Sequence, residues 1–527
     1  MPYPLAACRA AGVLGGGAAP VTYSISGTVA YGATNIAGVT VTLGAHSAMT
    51  AADGTFTLSS LPAGTSGALT PSKTDHTFAP ATITIAAMSG NLTAQNFSGF
   101  SPSLLSDVLW LRADKGLYKE AAKAQPVTAD ADAVYTLADQ SGGGLDAIQA
   151  TAGARPIYKV NILNTKPCLL ADGVNTVITF PYPLGANTDF TVFLVNVENT
   201  LAYHDKWNFA NGESAYGKAW TIDSNPNQTI IVVTDSVANG LTVALGPSQL
   251  VAGRWNIIRV RKNGTSNGNL TLYNKGVYCG VNAGKTAGNP VSCAVDMMKA
   301  TTDGYFAEEL VFARALTDAE CQDIENRWLG RWFTRRIVCD GNSLTWGTGA
   351  TTVNGYPTAD YPNQLYALYN QPINVLSNLG VGGQTTAQMI ADAATKIDVL
   401  VGNAWAKPIV VCWEGTNDIA IGGLDGVAAY ANIVTYCQGR RAAGFKVVVC
   451  NIMARNQASP FETRRLVANA LIAANWATFA DVLVDIAGTA SLSNYSDTTY
   501  FSADGVHLND TGYGVVAALV KAAIDTL

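Results

Sequence analysis

The most constraining stretch of this 527-residue chain is a short apolar run that ends in a turn and a serine. Residues 337–339 predict a buried strand, and residues 340–342, Asp-Gly-Asn, favour a turn. Ser343 comes next, so its hydroxyl is expected at the carboxyl end of a strand, where open α/β sheets bind their ligands. A serine in that place is a candidate nucleophile, provided that a base can reach it.

One of the four histidines of the chain is placed to act as that base. His507 follows Asp504 by three residues in a short loop. There the carboxylate can accept a hydrogen bond from one ring nitrogen and leave the other nitrogen to take the proton of Ser343. The alternative is a plain surface turn made by Asp504 and Gly505, with an incidental histidine. The other histidines, in segments that favour β structure, are His46, His76 and His204.

Two further turns follow predicted strands and supply hydrogen-bond donors. Residues 378–385 follow the apolar run 373–376 and contain glycines, among them Gly383, that let backbone N–H groups approach a substrate. Residues 415–418 follow a third apolar run. Asn417 in that turn offers a side-chain amide of the kind that stabilises an oxyanion. Each turn is a common feature by itself, so the order of the blocks along the chain carries the argument.

Together these blocks resemble those of the SGNH hydrolases, also called the GDSL esterase family. Residues 341–344 correspond to that family's Gly-Asp-Ser-Leu, with Asn342 in place of the aspartate. Residues 415–418 correspond to its Gly-x-Asn-Asp, and residues 504–507 to its Asp-x-x-His. The resemblance covers residues 334–527 and implies a flavodoxin-like α/β domain with a parallel sheet.

The resemblance also implies a serine esterase. Ser343 would attack an ester carbonyl, His507 would take the serine proton, and Asp504 would orient and stabilise the imidazolium. The oxyanion would be held by the N–H groups of Ser343 and Gly383 and by the Asn417 side chain. No metal and no organic cofactor is implied. No Gly-x-Ser-x-Gly elbow surrounds Ser343, which argues against the α/β-hydrolase family.

The region from residue 334 to 527 alternates predicted strands and helices, as a doubly wound parallel sheet requires. Further strands are predicted at 446–452 and 482–486. Helices are predicted at 362–369, 385–400, 424–443 and 461–479, and a final helix, capped by Asn509, is expected to end near Ile524.

The chain is longer than one hydrophobic core usually organises, so several domains are expected. Residues 1–21 are predicted to be a flexible segment. Residues 22–100 consist of short alternating strands separated by turns and resemble carboxypeptidase-regulatory or immunoglobulin-like β-sandwiches. In this domain a spacer or docking role is expected.

Residues 101–333 favour β structure again, from a Trp-Leu-Arg-Ala-Asp opening at 110–114 to a helix capped near Thr317. This opening and this ending resemble laminin-G or concanavalin-A-like jelly rolls. Many such domains bind glycans and many are structural, and both alternatives stay open. Aromatic side chains that could either stack on sugars or pack in the core are Tyr203, Trp207 and Trp220.

Composition excludes several functional classes. Charged residues make up 13% of the chain and hydrophobic residues 48%, which suits globular β-rich modules. The formal net charge is −6 and no basic run is present, so nucleic-acid binding is not expected. No apolar run approaches the roughly 20 residues of a membrane helix. The nine cysteines form no C-x-x-C pair, which predicts neither a zinc site nor a disulfide framework and fits folding in a reducing cytosol.

Three hypotheses combine these features. The chain is a phage tail or receptor-binding protein that de-esterifies a host glycan, with other virion tail proteins as partners and a homo-oligomeric state. Alternatively it is a secreted bacterial carbohydrate esterase. Residues 5–8 look like a lipobox, but no basic region precedes them and no credible signal peptide is present. The phage-tail hypothesis and the secreted-esterase hypothesis both predict an extracellular or virion-associated protein. The third is a non-catalytic adhesion protein with a vestigial hydrolase domain, which Asn342 keeps open.

Overall fold

The computed structural model describes most of the chain, which forms two compact units, Met1–Leu104 and Leu105–Leu527. Within the described part, no helix has both the length and the apolar character that crossing a membrane requires. Residues 1–19, which make up most of the predicted N-terminal segment, lie outside the described part of the chain. The described residues are 20–105, 108–181, 189–200, 204–209, 221–224, 229–233, 241–244, 253–263, 268–285, 294–298, 303–353, 355–369, 374–401 and 408–527.

The first unit is built of β-strands, as its alternating sequence predicts. One sheet has the order β2-β1-β9-β7, with β5 also paired to β1, and the other has the order β4-β3-β6-β8. Alternate residues of the strands, such as Ile25, Val29 and Phe56, form one buried core. The strands are β1 Thr22–Tyr31, β2 Thr34–Asn35, β3 Thr40–Leu43, β4 His46–Met49, β5 Thr55–Pro62, β6 Gly67–Ser72, β7 Thr77–Ala79, β8 Ile83–Ile85 and β9 Phe97–Phe100.

The second unit begins with a β-rich part made of two antiparallel sheets. The first sheet has the order β14-β15-β26-β17-β22-β23-β24, with β10 also paired to β26. Its strands are β10 Val108–Arg112, β14 Ile157–Leu163, β15 Lys166–Asp172, β17 Phe190–Glu198, β22 Trp255–Asn263, β23 Gly268–Asn274, β24 Val277–Lys285 and β26 Asp303–Phe312.

The second sheet of the β-rich part has the order β11-β12-β13-β16-β25-β18-β19-β20-β21. Of the aromatic candidates, Tyr203 and Trp220 lie outside the described residues, and only the backbone of Trp207 is described. The strands are β11 Leu117–Tyr118, β12 Thr136–Leu137, β13 Ala147–Ile148, β16 Ile178–Pro181, β18 His204–Phe209, β19 Thr221–Ser224, β20 Thr229–Val233, β21 Leu241–Ala244 and β25 Ala294–Met297.

Strand β17 is buried along its whole length because both of its faces are covered. Val192 and Leu194 belong to the core between the two sheets. Phe193, on the opposite face, packs edge-on against Trp328 with ring centroids 5.7 Å apart. Trp328 belongs to α1, Asp318–Trp332, which begins at the predicted cap Thr317. Helix α1 therefore closes the outer face of the first sheet.

A buried carboxylate that the sequence did not reveal holds α1 to this sheet. Glu308 on β26 is fully buried. It accepts hydrogen bonds from Nε1 of Trp110 and of Trp332, both at 2.6 Å, and from Nη1 of Arg327 at 2.7 Å. Burial opposes its ionisation, but the charges of nearby arginines, Arg327 first, and the Trp332 hydrogen bond outweigh this effect and lower the pKa of Glu308 to about 2. The Trp-Leu-Arg-Ala-Asp opening thus has a structural role through Trp110.

The C-terminal part of the second unit is a parallel sheet with helices on both faces. The order β30-β27-β31-β32-β33 is the 2-1-3-4-5 order of flavodoxin-like folds. The strands of this sheet are β27 Arg335–Gly341, β30 Asn374–Asn378, β31 Ile409–Trp413, β32 Lys446–Cys450 and β33 Val482–Val484. A separate antiparallel pair is formed by β28 Thr352–Val353 and β29 Tyr356–Pro357. The helices are α2 Ser343–Trp346, α3 Tyr361–Leu368, α4 Thr386–Lys396, α5 Thr416–Ala420, α6 Gly426–Ala443, α7 Phe461–Asn475 and α8 Asp510–Ile524.

Each face of the parallel sheet has its own core. Residues of α3 and α8, such as Leu365 and Val516, pack on one face, and residues of α4, α6 and α7, such as Met389, Ile433 and Ile472, pack on the other. The predicted doubly wound α/β architecture is confirmed, and the observed helix ends lie within a few residues of the predicted ones. The carboxyl ends of β27 and β31 meet at the edge of the sheet where such folds bind their ligands.

Candidate active site

The turn after β27 presents Ser343 at the start of a short helix. Oδ1 of Asn342 caps α2 by accepting a hydrogen bond from the Leu344 N–H at 2.8 Å. Gly341 lies so close to β31 that a Cβ there would stand 2.4 Å from the carbonyl oxygen of Trp413. Only glycine permits this approach, which brings the serine turn next to the turn that follows β31.

The predicted base and carboxylate meet Ser343 in the structure. Nε2 of His507 lies 2.9 Å from Oγ of Ser343, and Nδ1 lies 2.6 Å from Oδ2 of Asp504. Oδ1 of Asp504 accepts the N–H groups of Val506 and His507 at 2.8 and 3.0 Å. Burial opposes ionisation of Asp504, but hydrogen bonds from His507 and Val506 outweigh it and lower the pKa of this carboxyl. Ionised Asp504 keeps the proton on Nδ1 and leaves Nε2 to accept from serine.

The loop that carries the histidine packs directly on the loop that follows the nucleophile. A Cβ at Gly349 would stand 2.5 Å from the carbonyl oxygen of Leu508 and 3.2 Å from Cβ of His507. The hydroxyl of Tyr513 on α8 donates to the carbonyl of Thr348 at 2.7 Å. The packing of these two loops on each other therefore sets the distance between Ser343 and His507.

The two predicted oxyanion residues lie on neighbouring loops that are tied together. Nδ2 of Asn417 donates to the carbonyl of Gln384 at 2.9 Å, which leaves its second N–H for another acceptor. Gly383 has φ +77°, and no atom of the described residues beyond its chain neighbours lies within 4 Å of the position of a Cβ. Asp418 accepts the N–H and hydroxyl of Thr386, both at 2.8 Å, and so anchors the start of α4. The loop that carries Gly383 and the loop that carries Asn417 are therefore held together by direct hydrogen bonds.

A buried glutamate behind this turn was not predicted. Glu414 has 2% of its surface exposed, and its Oε1 accepts the Gly415 N–H at 3.0 Å. Burial raises the pKa of Glu414 well above its usual range, and the nearby Asn342 amide works against that rise. Nδ2 of Asn342 and Oε2 of Glu414 are both buried without a hydrogen bond of standard geometry among the described residues. The amide at position 342 therefore faces a carboxyl that favours its protonated form.

A second residue without a sequence signal of its own is Arg455, which follows the carboxyl end of β32. Its Nη1 lies 3.4 Å from the hydroxyl of Thr416, beside the oxyanion residue Asn417. Burial lowers the pKa of Arg455, and the charge of Asp504 opposes this effect. The one sequence signal that could have revealed Arg455 is its place shortly after the predicted strand 446–452, at the edge of the sheet where the site residues lie.

The remaining candidates lie elsewhere. His46 is on β4 of the first unit, and His76 bonds locally to the carbonyl of Thr74. The side chain of His204 is outside the described part. Among the described residues, no group of histidine, cysteine and acidic side chains is arranged to hold a metal ion. Free thiols are present at Cys168, Cys279, Cys321, Cys339, Cys412, Cys437 and Cys450.

The model of the GDSL-like Lipase/Acylhydrolase family matches residues 339–515. Residues 339–515 form a GDSL-like acylhydrolase domain. The match spans the serine turn, both oxyanion loops and the Asp504–His507 loop, so this GDSL-like domain contains every residue of the candidate site. A domain of this family supports hydrolysis of esters of the carboxylic type.

Solved structures similar to the chain align with about the same portion of it. They include a member of the lipolytic protein G-D-S-L family from Veillonella parvula, with 19% identity over 37% of this chain and 100% of that chain, and a TM-score of 0.31. The esterase EstA from Pseudoalteromonas sp. has 15% identity over 36% of this chain and 97% of that chain, with a TM-score of 0.29. A GDSL-like lipase from Bacteroides thetaiotaomicron has 19% identity over 37% of this chain and 89% of that chain, with a TM-score of 0.28. No curated protein matches the chain.

Proposed function

We propose that this chain is a serine esterase that removes O-acetyl or other short acyl groups from a polysaccharide. The observation that carries the reaction type is the unbroken line of contacts from Ser343 Oγ to His507 Nε2 and from His507 Nδ1 to Asp504. A nucleophile, a base and a group that orients the base are what acyl transfer to water requires.

The reaction has two halves. Ser343 Oγ attacks the ester carbonyl carbon while its proton passes to Nε2 of His507. The oxyanion collapses to an acyl-serine, and the imidazolium gives its proton to the departing alcohol of the sugar. Water then attacks the acyl-serine, with His507 as base, and the carboxylic acid leaves as Ser343 regains its proton. Asp504 stabilises the imidazolium in both halves. The sequence of steps needs no metal and no organic cofactor.

The oxyanion formed in each half is held by three donors. These are the N–H of Ser343, the N–H of Gly383 and the free N–H of the Asn417 side chain. Donors that are already oriented stabilise the charge without reorganisation, which is the source of their effect on the rate.

The substrate class rests on the rest of the chain. The β-rich parts before the GDSL-like domain support a modular glycan-contacting protein, with the first an immunoglobulin-like or carboxypeptidase-regulatory-like sandwich and the second a laminin-G or concanavalin-A-like jelly roll. We place the protein outside the bacterial cell, as a phage tail protein among other virion proteins or as a secreted enzyme, and expect a homo-oligomer.

The test is hydrolysis of p-nitrophenyl acetate and butyrate by the intact chain, by Ser343→Ala and by the control Ser496→Ala. Ser496 is an exposed serine of the same domain. Turnover that vanishes only in Ser343→Ala, with acetate preferred, supports the esterase. Release of acetate from acetylated polysaccharides is measured in parallel, because small esters forgo remote binding energy. If both substrate classes are inert, the non-catalytic adhesion hypothesis replaces the esterase.

A further inference from the structure

An arginine of the β-rich part reaches into the GDSL-like domain. Arg254, immediately before β22, donates through Nη2 to the carbonyl of Asn363 on α3 at 2.8 Å and through Nη1 to its Oδ1. The guanidinium carbon also lies 4.6 Å from the centre of the Tyr366 ring. The bond to Oδ1 orients the Asn363 side chain, and the bond to the carbonyl holds the backbone of the same residue.

Asn363 passes this contact to a buried carboxylate. Its Nδ2 donates to Oδ2 of Asp360 and, at 3.0 Å, to the carbonyl of Pro357. Asp360 caps α3 by accepting the N–H of Asn363 at 2.9 Å, and 1% of its surface is exposed. Asn363 therefore links Arg254 of the β-rich part to Asp360 of the GDSL-like domain.

The carboxylate in turn supports the turn that carries the nucleophile. Nδ2 of Asn378, at the end of β30, lies 3.4 Å from Oδ1 of Asp360 and donates to the carbonyl of Thr345 at 2.9 Å. Thr345 belongs to α2, whose first residue is Ser343. A Cβ at Gly347, which ends α2, would stand 2.4 Å from Cβ of Asp360, so acid and turn are in direct contact.

We propose that Arg254 is a positioning residue for Ser343, acting through Asn363, Asp360 and Asn378. The β-rich part then does more than carry a substrate, since it completes the support of the active site from outside the GDSL-like domain. This role rests on the proposed esterase function.

The charges around Asp360 make the proposal measurable. Burial raises the pKa of Asp360 to about 7, while the Asn363 N–H and the charge of Arg254 oppose this rise. Among the described residues, the charge of Asp360 also acts on the titratable groups of Cys339 on β27 and Tyr513 on α8. Because Arg254 favours ionised Asp360, its loss raises the pKa of this carboxyl further. Asp360 then becomes protonated at neutral pH and accepts hydrogen bonds less well.

The experiment compares kcat, KM and the pH dependence of kcat for the intact chain, Arg254→Gln and the control Arg261→Gln. Arg261 lies on β22, the strand that follows Arg254, but bonds to the carbonyl of Leu316 and to Asp318, outside the GDSL-like domain. For Arg254→Gln we expect kcat to fall by about 10- to 100-fold with little change in KM, since a small misplacement of reacting groups costs up to about 100-fold. The acid limb of its profile moves to higher pH. Arg261→Gln keeps the values of the wild type.

Chemical rescue separates positioning from a purely structural effect. Guanidinium chloride, at concentrations that leave the thermal unfolding curve unchanged, is expected to restore kcat in Arg254→Ala, and methylammonium is not. A folded Arg254→Gln with wild-type kcat and pH profile overturns the proposal. So does a fall in kcat with neither the pH shift nor the rescue. A wild-type chain without Ser343-dependent turnover removes the esterase itself, and the positioning role with it.

Discussion

Nε2 of His507 lies 2.9 Å from Oγ of Ser343, although 164 positions separate them along the chain. The parallel sheet brings the loop before α8 to the edge where β27 ends, and Gly349 lets the two loops touch. Backbone packing sets the geometry of the Ser343–His507 pair. We therefore expect the pair to stay in place when other residues of the site, such as Asp504 or Asn417, are substituted.

Asp504→Asn tests the group that orients the base. The neutral amide no longer stabilises the imidazolium and permits the wrong tautomer, so kcat is expected to fall by up to about 10⁴-fold. The measurement is kcat for p-nitrophenyl acetate. Asp497→Asn is the control, because Asp497 lies in the same C-terminal segment and its carboxylate accepts local hydrogen bonds from Thr499. Equal rates in Asp504→Asn and the wild type would exclude this role for Asp504.

Asn417→Ala tests the oxyanion donor. The loss of one donor is expected to lower kcat by about 10²- to 10³-fold, or about 2.7–4 kcal/mol, with a smaller effect on KM. Asn432→Ala is the matched control, because the Asn432 amide donates to Asp418 at 3.0 Å from behind the same turn. If both variants lose activity equally, the effect lies in the anchoring of the turn and Asn417 has no special part in it.

The members of the candidate site that the sequence predicts lie in short local patterns. Ser343, Asn417 and the pair Asp504–His507 each follow a strand or precede a helix cap, so the rule that strand ends carry function could place them together. The caps Thr317 and Asn509 were predicted for the same reason and are confirmed.

The supporting residues could not be predicted because their partners are distant along the chain. Arg254 and Asn363 are 109 positions apart, and Trp110 and Glu308 are 198 apart. Nothing in the local sequence of an arginine or a glutamate specifies such a partner. Strand pairing in the β-rich part has the same property, since alternation gives the buried face of a strand but not its neighbour.

Asn342→Asp tests why this chain has an amide where the related family has an acid. The new carboxyl would lie beside buried Glu414 without a counter-charge, so its pKa should be raised. A raised pKa favours the native state at low pH, and this advantage is lost as the pH rises through the folded-state pKa. We expect a melting temperature close to that of the wild type at pH 3, below the ordinary pKa of an aspartate, and a deficit at pH 8 equivalent to about 1–3 kcal/mol.

The matched comparison for that change is the double variant Asn342→Asp with Glu414→Gln. It restores one acid and one amide with their positions exchanged, so most of the deficit at pH 8 should disappear. A deficit that persists unchanged in the double variant would mean that the strain comes from the cap of α2, and that the two carboxyls do not oppose each other.

Glu308→Gln tests the buried charge that joins α1 to the sheet. It leaves Arg327 buried without its carboxylate, and the loss of one partner of a buried pair typically costs about 3–5 kcal/mol. The measurement is unfolding at pH 7 followed by tryptophan fluorescence, since Trp110 and Trp332 contact Glu308 directly. In the control, Glu462→Gln removes a partner of Arg465 that is itself half exposed, and a loss of at most about 1 kcal/mol is expected.

The pH dependence of the same variant gives an independent check. The lowering of the Glu308 pKa from 4.5 to about 2 corresponds to about 3 kcal/mol of native-state stability. Because the folded-state pKa is the lower one, this stability is complete above pH 4.5 and is lost as the pH falls from there to about 2. Glu308→Gln has no such group, so its deficit relative to the wild type should shrink across that interval. A deficit that stays constant from pH 5 to pH 2 would show that the cost comes from packing, and that the charge of Glu308 adds nothing to the stability of the fold.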